Sequence, residues 1–112
     1  MPFTYGMSLH VTVYIAPENV GPFFAAFKPV FDKVVAEQEC LFFEVYQSPQ
    51  EPGKISWVED WSTSPEWFLQ NQITQHYYKE YLAITEPMFV KPREGQFFER
   101  LSPEYCYNSN LH

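Results

Sequence analysis

Two runs of strand-forming residues, 40–48 and 54–61, are separated only by Pro49-Gln50-Glu51-Pro52-Gly53. A connection that short and that rich in turn residues predicts an antiparallel hairpin. The second run ends on Trp57-Val58-Glu59-Asp60-Trp61, a carboxylate between indoles. Ser64-Pro65-Glu66 follows, a helix start with a capping hydroxyl, a pre-set φ and a carboxylate near the positive end. The helical region is expected to reach Thr85 and to stop at Glu86-Pro87, and it carries Asn71 and His76.

Upstream, residues 5–15 alternate. Met7, Leu9, Val11, Val13 and Ile15 face one way, and Ser8, His10, Thr12 and Tyr14 the other, which predicts a strand with one apolar and one mixed face. From 18 to 38, Phe23, Phe24, Phe27, Val30, Phe31, Val34 and Val35 recur at helical spacing, the pattern of a core-facing stripe. Pro29 inside this run removes an amide donor and predicts a kink or split. Residues 95–101 read as a last strand, and 102–112 as a polar tail without structure. The order is β-α-β-β-α-β, without repeat or linker, and 112 residues make one domain, 1–112, with its core at about 7–101. The fold class expected is α+β, a four-stranded antiparallel sheet with helices on one face. The other face carries rings and β-branched residues, so a homodimer packed through it is expected.

Composition narrows the partners. Net charge is −7, and the seven basic residues are scattered, so no patch exists to neutralise phosphates. Nucleic acid and membrane are not expected partners. No apolar run is long enough to span a bilayer and no leader pattern opens the chain, so a cytoplasmic location is expected. Cys40 and Cys106 have no metal-type spacing and read as reduced thiols. Three histidines without i,i+4 pairing disfavour a metal, and four glycines without a phosphate loop disfavour a nucleotide cofactor. No Ser stands in a Gly-flanked nucleophile turn. Aromatics form 20% of the chain, more ring area than one small core uses at roughly 150–250 Å² per ring. The excess goes to a dimer interface or to the walls of a cavity for a flat, apolar ligand.

With these elements the chain resembles the antibiotic biosynthesis monooxygenase family, built as a ferredoxin-like dimeric α+β barrel. The resemblance covers roughly residues 7–101 and is strongest over residues 41–61, with the turn Ser48-Pro49-Gln50-Glu51-Pro52-Gly53-Lys54 and the strand end Glu59-x-Trp61. The family follows this with a His-x4-His helix. Here the second position is His76 and the first is Asn71, an amide that cannot act as a base at neutral pH. The resemblance implies oxygenation without metal, flavin or haem: a phenol, quinol or anthrone is deprotonated and its anion reacts with dioxygen to give a quinone, in secondary metabolism. Relatives of the same fold degrade haem, cyclise or decarboxylate polyketides, or have no known activity. A non-oxidative decarboxylase, isomerase or cyclase, and a ligand-binding dimer without turnover, therefore stand beside the monooxygenase.

Such chemistry needs a dry, flat slot and a positioned base. His76 is the first candidate, since imidazole titrates near neutral pH; otherwise it is a solvated helix-end histidine. Asn71 and His76 stand about 140° apart on an unbroken helix, so they converge only if the helix breaks, and Thr74-Gln75 is the expected break. Glu59, if its face lies under the helices, has a raised pKa and acts as acid–base group, as orienter of His76, or as a structural carboxylate. His10, with Tyr14 on the mixed face, is a further candidate because a polar residue near its position faces the pocket in the haem-degrading relatives; otherwise it belongs to the dimer interface. Trp57, Trp61, Trp67, Phe43 and Phe97 are candidate walls for a small aromatic substrate, and Tyr46, Tyr77, Tyr78 and Tyr81 candidate partners for its hydroxyls. The expected site is a cavity with His76 and Asn71 facing it and Glu59, Trp57 and Trp61 on its floor.

Overall fold

A computed structural model describes residues 5–109. Strand β1 (Met7–Ile15) leads through a 3-10 turn, Pro17–Asn19, into helix α1 (Val20–Val35). The hairpin of β2 (Cys40–Gln47) and β3 (Lys54–Trp61) follows. A short helix α2 (Pro65–Trp67) then passes into a π turn (Phe68–Gln72), and helix α3 (Tyr77–Thr85) precedes the last strand, β4 (Phe89–Glu99). The sheet has the order β2-β3-β1-β4 with every pairing antiparallel.

Period-2 alternation decides what each face carries. Val11 of β1 lies opposite Trp57 of β3, and Phe43 of β2 opposite Glu59. Met7, Val11, Val13, Ile15, Ile55, Trp57 and Trp61 are buried under the helices, where they meet Phe23, Phe27 and Val34 of α1 and Tyr81 of α3. Rings set much of this packing: the Phe27 and Trp57 centroids are 4.9 Å apart, as are those of Phe31 and Phe43. A second cluster joins Met7, Val34, Trp61 and Phe68.

Glycine is required where β1 begins. Gly6 has φ +103°, and a Cβ there would run into the Trp61 carbonyl oxygen. At the other end of β1, the Ile15 amide donates to Gly53 of the hairpin turn at 2.9 Å. A Cβ on Gly53 would occupy the space of the Ile15 carbonyl.

Several expectations are corrected. Helix α1 is continuous through Pro29. Pro29 and Ala25, whose carbonyl loses its partner, are both exposed, so water satisfies that carbonyl without a break. Strand β4 begins at Phe89 and ends at Glu99, earlier at both ends than the 95–101 read from sequence. Pro92 hid its first half. It falls where the register with β1 shifts between Thr12↔Glu94 and Tyr14↔Lys91, an irregularity on an edge strand where no ladder donor is needed. The tail holds one 3-10 turn, Pro103–Tyr105, and its residues 110–112 lie outside the described residues. Among the described residues no helix is long and apolar enough to cross a membrane.

Candidate active site

Because side chains two apart on a strand share a face, β3 sets Trp57, Glu59 and Trp61 side by side beneath the helices. Trp57 Nε1 donates to Glu59 Oε2 and Trp61 Nε1 to Oε1, each at 3.0 Å. Glu59 is 7% exposed. Burial pushes its carboxyl up, the two indole donors pull it partly back, and the balance is about 7.

Above Glu59 lies a cavity of about 40 Å³, walled by Phe27, Val30, Phe31, Val34, Phe43, Trp57, Tyr78 and Tyr81. Its volume is near that of one water in the liquid, roughly 30 Å³. A much larger groove, about 750 Å³, runs between α1 and α3. Ala25, Ala26, Pro29, Val30 and Lys33 form one side, and His76, Tyr77, Lys79, Glu80, Tyr81, Ala83 and Ile84 the other. Val30 and Tyr81 line both spaces, so one layer of side chains separates the groove from the buried carboxylate.

The helix breaks at residues 73–76, around the expected Thr74-Gln75. Asn71 Nδ2 bonds the Trp67 carbonyl at 3.1 Å and Thr74 Oγ1 the Gln70 carbonyl at 3.0 Å, side-chain bonds that compete with the helical ladder. The break does not bring Asn71 and His76 together at the cavity. Asn71 is exposed and spent on its own helix, and His76, at the first turn of α3, is exposed on the groove. The expectation that both face the space above Glu59 is corrected on this point.

The remaining candidates divide between the two faces of the sheet. Trp57 and Phe43 wall the small cavity. Trp61 is fully buried under Phe68, their centroids 5.4 Å apart, with Trp67 and Phe97 half-buried in the same cluster; none of the three lines the cavity. His10 and Tyr14, at even positions of β1, lie on the face away from the helices. Tyr14 donates to Glu94 at 3.1 Å beneath the Lys91 ammonium, and His10 packs on Phe98 beside a 410 Å³ surface hollow. Neither shares a space with Glu59.

One polar group escaped the sequence reading. Gln72, 1% exposed, ends the π turn and donates both amide hydrogens, to the Tyr77 oxygen at 2.6 Å and the Tyr78 oxygen at 2.9 Å. Tyr77 in turn donates to Glu37 at 2.6 Å. A glutamine in a polar helical run looks like surface; only the π turn, which shifts it inward, shows otherwise. Among the described residues no three His, Cys, Asp or Glu are grouped to hold a metal ion.

With this geometry in hand, the chain can be set beside known proteins. No family model matches it. It is 29% identical over 98 residues to a "putative monooxygenase" of Pestalotiopsis microspora, covering 88% of this chain and 82% of that one. A "putative antibiotic biosynthesis monooxygenase" from Caulobacter crescentus superposes with a TM-score of 0.80 at 19% identity, covering 90% of this chain and 94% of that one. One of the same description from Nitrosomonas europaea gives 0.79 at 16%, covering 89% and 94%. The resemblance read over residues 7–101 thus holds as a shared fold, and the sequence relative carries a monooxygenase name.

Proposed function

We propose that this chain is a cofactor-independent monooxygenase that oxidises a polycyclic phenol or anthrone to a quinone, in secondary metabolism, with Glu59 as the base. The observation that carries the reading is Glu59 itself: a carboxyl walled by rings, with a pKa of about 7, on the apolar side of the sheet. A structural carboxylate of this burial is ordinarily paired with a cation; among the described residues, the donors to this one are two neutral indoles. Bases with pKa near the working pH are the effective ones.

The substrate enters from the α1–α3 groove, displacing Val30 and Tyr81 so that the small cavity opens into the large one. Glu59 removes a proton from the ring methylene or hydroxyl, and the anion supplies the electrons that reduce dioxygen. For an anthrone, one oxygen atom ends on the former methylene carbon; the other leaves as water with that carbon's two hydrogens. The aromatic wall excludes bulk water from the anion.

Incubating the protein with an anthrone and a metal chelator, with and without oxygen, tests this. One dioxygen consumed per quinone formed is the expected result. Product without oxygen would replace it by a decarboxylase, isomerase or cyclase, and saturable binding without product by a ligand-binding protein. His76 lies at the groove rim, so His76→Ala should lower turnover less than tenfold; a loss of about 10²–10⁴-fold would return the role of base to it.

The reading includes a homodimer through the outer face of the sheet, where Phe42, Tyr46 and Phe98 are 39%, 46% and 43% exposed. Sedimentation at micromolar concentration should find two copies, and a monomer there would remove the dimer from the proposal.

A further inference from the structure

The Gln72 network has two arms, a closed one that ends on Glu37 and one whose tyrosine lines the cavity. In the closed arm every hydrogen is used: Gln72 donates to Tyr77 and Tyr77 to Glu37. In the other arm Tyr78 accepts from Gln72 at 2.9 Å, and its own hydrogen is held by the Tyr77 oxygen. Tyr78 lines the cavity above Glu59, whereas Tyr77 lines the groove outside. A hydroxyl hydrogen rotates to suit its partners. The Tyr77 oxygen also accepts from Gln72, so it stays paired if the Tyr78 hydrogen is given up to a guest in the cavity.

We propose that Tyr78 is a further catalytic residue, donating its hydroxyl hydrogen to the substrate oxygen that becomes anionic when Glu59 takes the proton, with Gln72 as the residue that positions it. This rests on the monooxygenase reading for the identity of the reaction, though the hydrogen bond to a planar phenolate does not need turnover to be seen. It also narrows the substrate class: the acidic proton and the enol or phenol oxygen must be reachable at once from Glu59 on the sheet and Tyr78 on α3. Burial and the nearby Glu59 charge hold the Tyr78 phenol well above its usual range, so it stays a donor at every working pH. The donor oxygen is fixed before substrate arrives, because buried Gln72 donates to it, and a preorganised donor is the effective kind.

The test uses Tyr78→Phe and Gln72→Leu, with Tyr107→Phe, exposed on the C-terminal tail, as the control. On a turned-over anthrone, Tyr78→Phe should lower kcat by about 10²–10³-fold with KM changed less than threefold, the loss typical of one oxyanion donor. Gln72→Leu should fall between Tyr78→Phe and wild type, and Tyr107→Phe should equal wild type. The second readout is a hydroxyanthraquinone whose phenolate is coloured. Bound to wild type it should ionise at a pH at least one unit below that seen in Tyr78→Phe, a tenfold effect on the anion. Turnover and dye pKa in Tyr78→Phe equal to wild type would overturn the proposal, as would a dye that wild type does not bind. Should wild type oxidise no anthrone, the functional reading falls while the dye titration still decides Tyr78. Should oxidation survive in Tyr78→Phe but not in Glu59→Gln, only this proposal falls. If Tyr78→Phe does not fold, Gln72→Leu, which keeps both rings, carries the same comparison.

Discussion

Glu59→Gln should lower the turnover of a confirmed anthrone or phenol by about 10²–10⁴-fold, the range of a positioned general base. The same substitution flattens the pH profile: the wild-type rate rises through pH of about 7 as the carboxylate forms, and the amide has nothing to ionise. It also changes stability in a signed way. The folded carboxyl titrates at about 7, against 4.5 for the free group, so between those values the folded protein holds the proton more tightly than the unfolded chain. The free energy of unfolding from this group therefore falls as pH rises through that window, and the full penalty of about 3 kcal/mol is present above it. Below pH 4.5 both states are protonated and the penalty is absent. Denaturant titrations at pH 4.5, 6 and 8 should show wild type losing stability relative to Glu59→Gln across the series. A constant difference between the two would mean that Glu59 is not held neutral by burial.

Trp61→Ala should cost about 3–5 kcal/mol, the range for removing a large buried ring. Trp61 is fully buried, meets Phe68 edge-on at 5.4 Å, and faces Met7 across the β1–β3 ladder. Set against a total stability of about 5–15 kcal/mol for a domain, that loss is a large fraction. The alanine also strips Glu59 Oε1 of its donor, which moves the carboxyl pKa further up. Trp61→Phe separates the two effects, since it keeps most of the ring and loses the N–H. It should keep most of the stability while shifting the pH–rate profile upward. Urea unfolding at pH 7 reads the first effect, and the pH–rate profile the second. A Trp61→Ala protein within 1 kcal/mol of wild type would contradict the packing described.

The parts of this fold legible in the sequence are those where one local rule decides. The alternation of residues 7–15 and 54–61, the Phe stripe of α1 and the Ser64 cap, whose hydroxyl accepts from the Trp67 amide at 3.1 Å, all follow from spacing and short-range chemistry. That Glu59 shares a face with its flanking indoles was legible too, from their spacing; that this face lies under the helices came from the structure. Strand β4 was half hidden, since a proline reads as a break wherever tertiary pairing supplies a bulge to hold it. The geometry around Asn71 and His76 was hidden for a different reason. The π turn adds a residue to one turn of helix, and every side chain beyond it is rotated from where a 3.6-residue repeat would put it. Gln72, the last residue of that turn, is buried, and Asn71 and His76 end outside the cavity.

The break at residues 73–76 divides what is anchored from what can give. On its N-terminal side, Phe68 is wedged over Trp61 and tied into the sheet by the capped start at Ser64. On its C-terminal side, Tyr81 covers the cavity from a nine-residue helix with its own termini. Were the two one rigid rod, lifting Tyr81 would lever Phe68 off Trp61 and loosen the site it was meant to open. Jointed as it is, an opening at Tyr81 of the kind proposed would leave that foundation in place, with Val30 of α1 as the opposite wall.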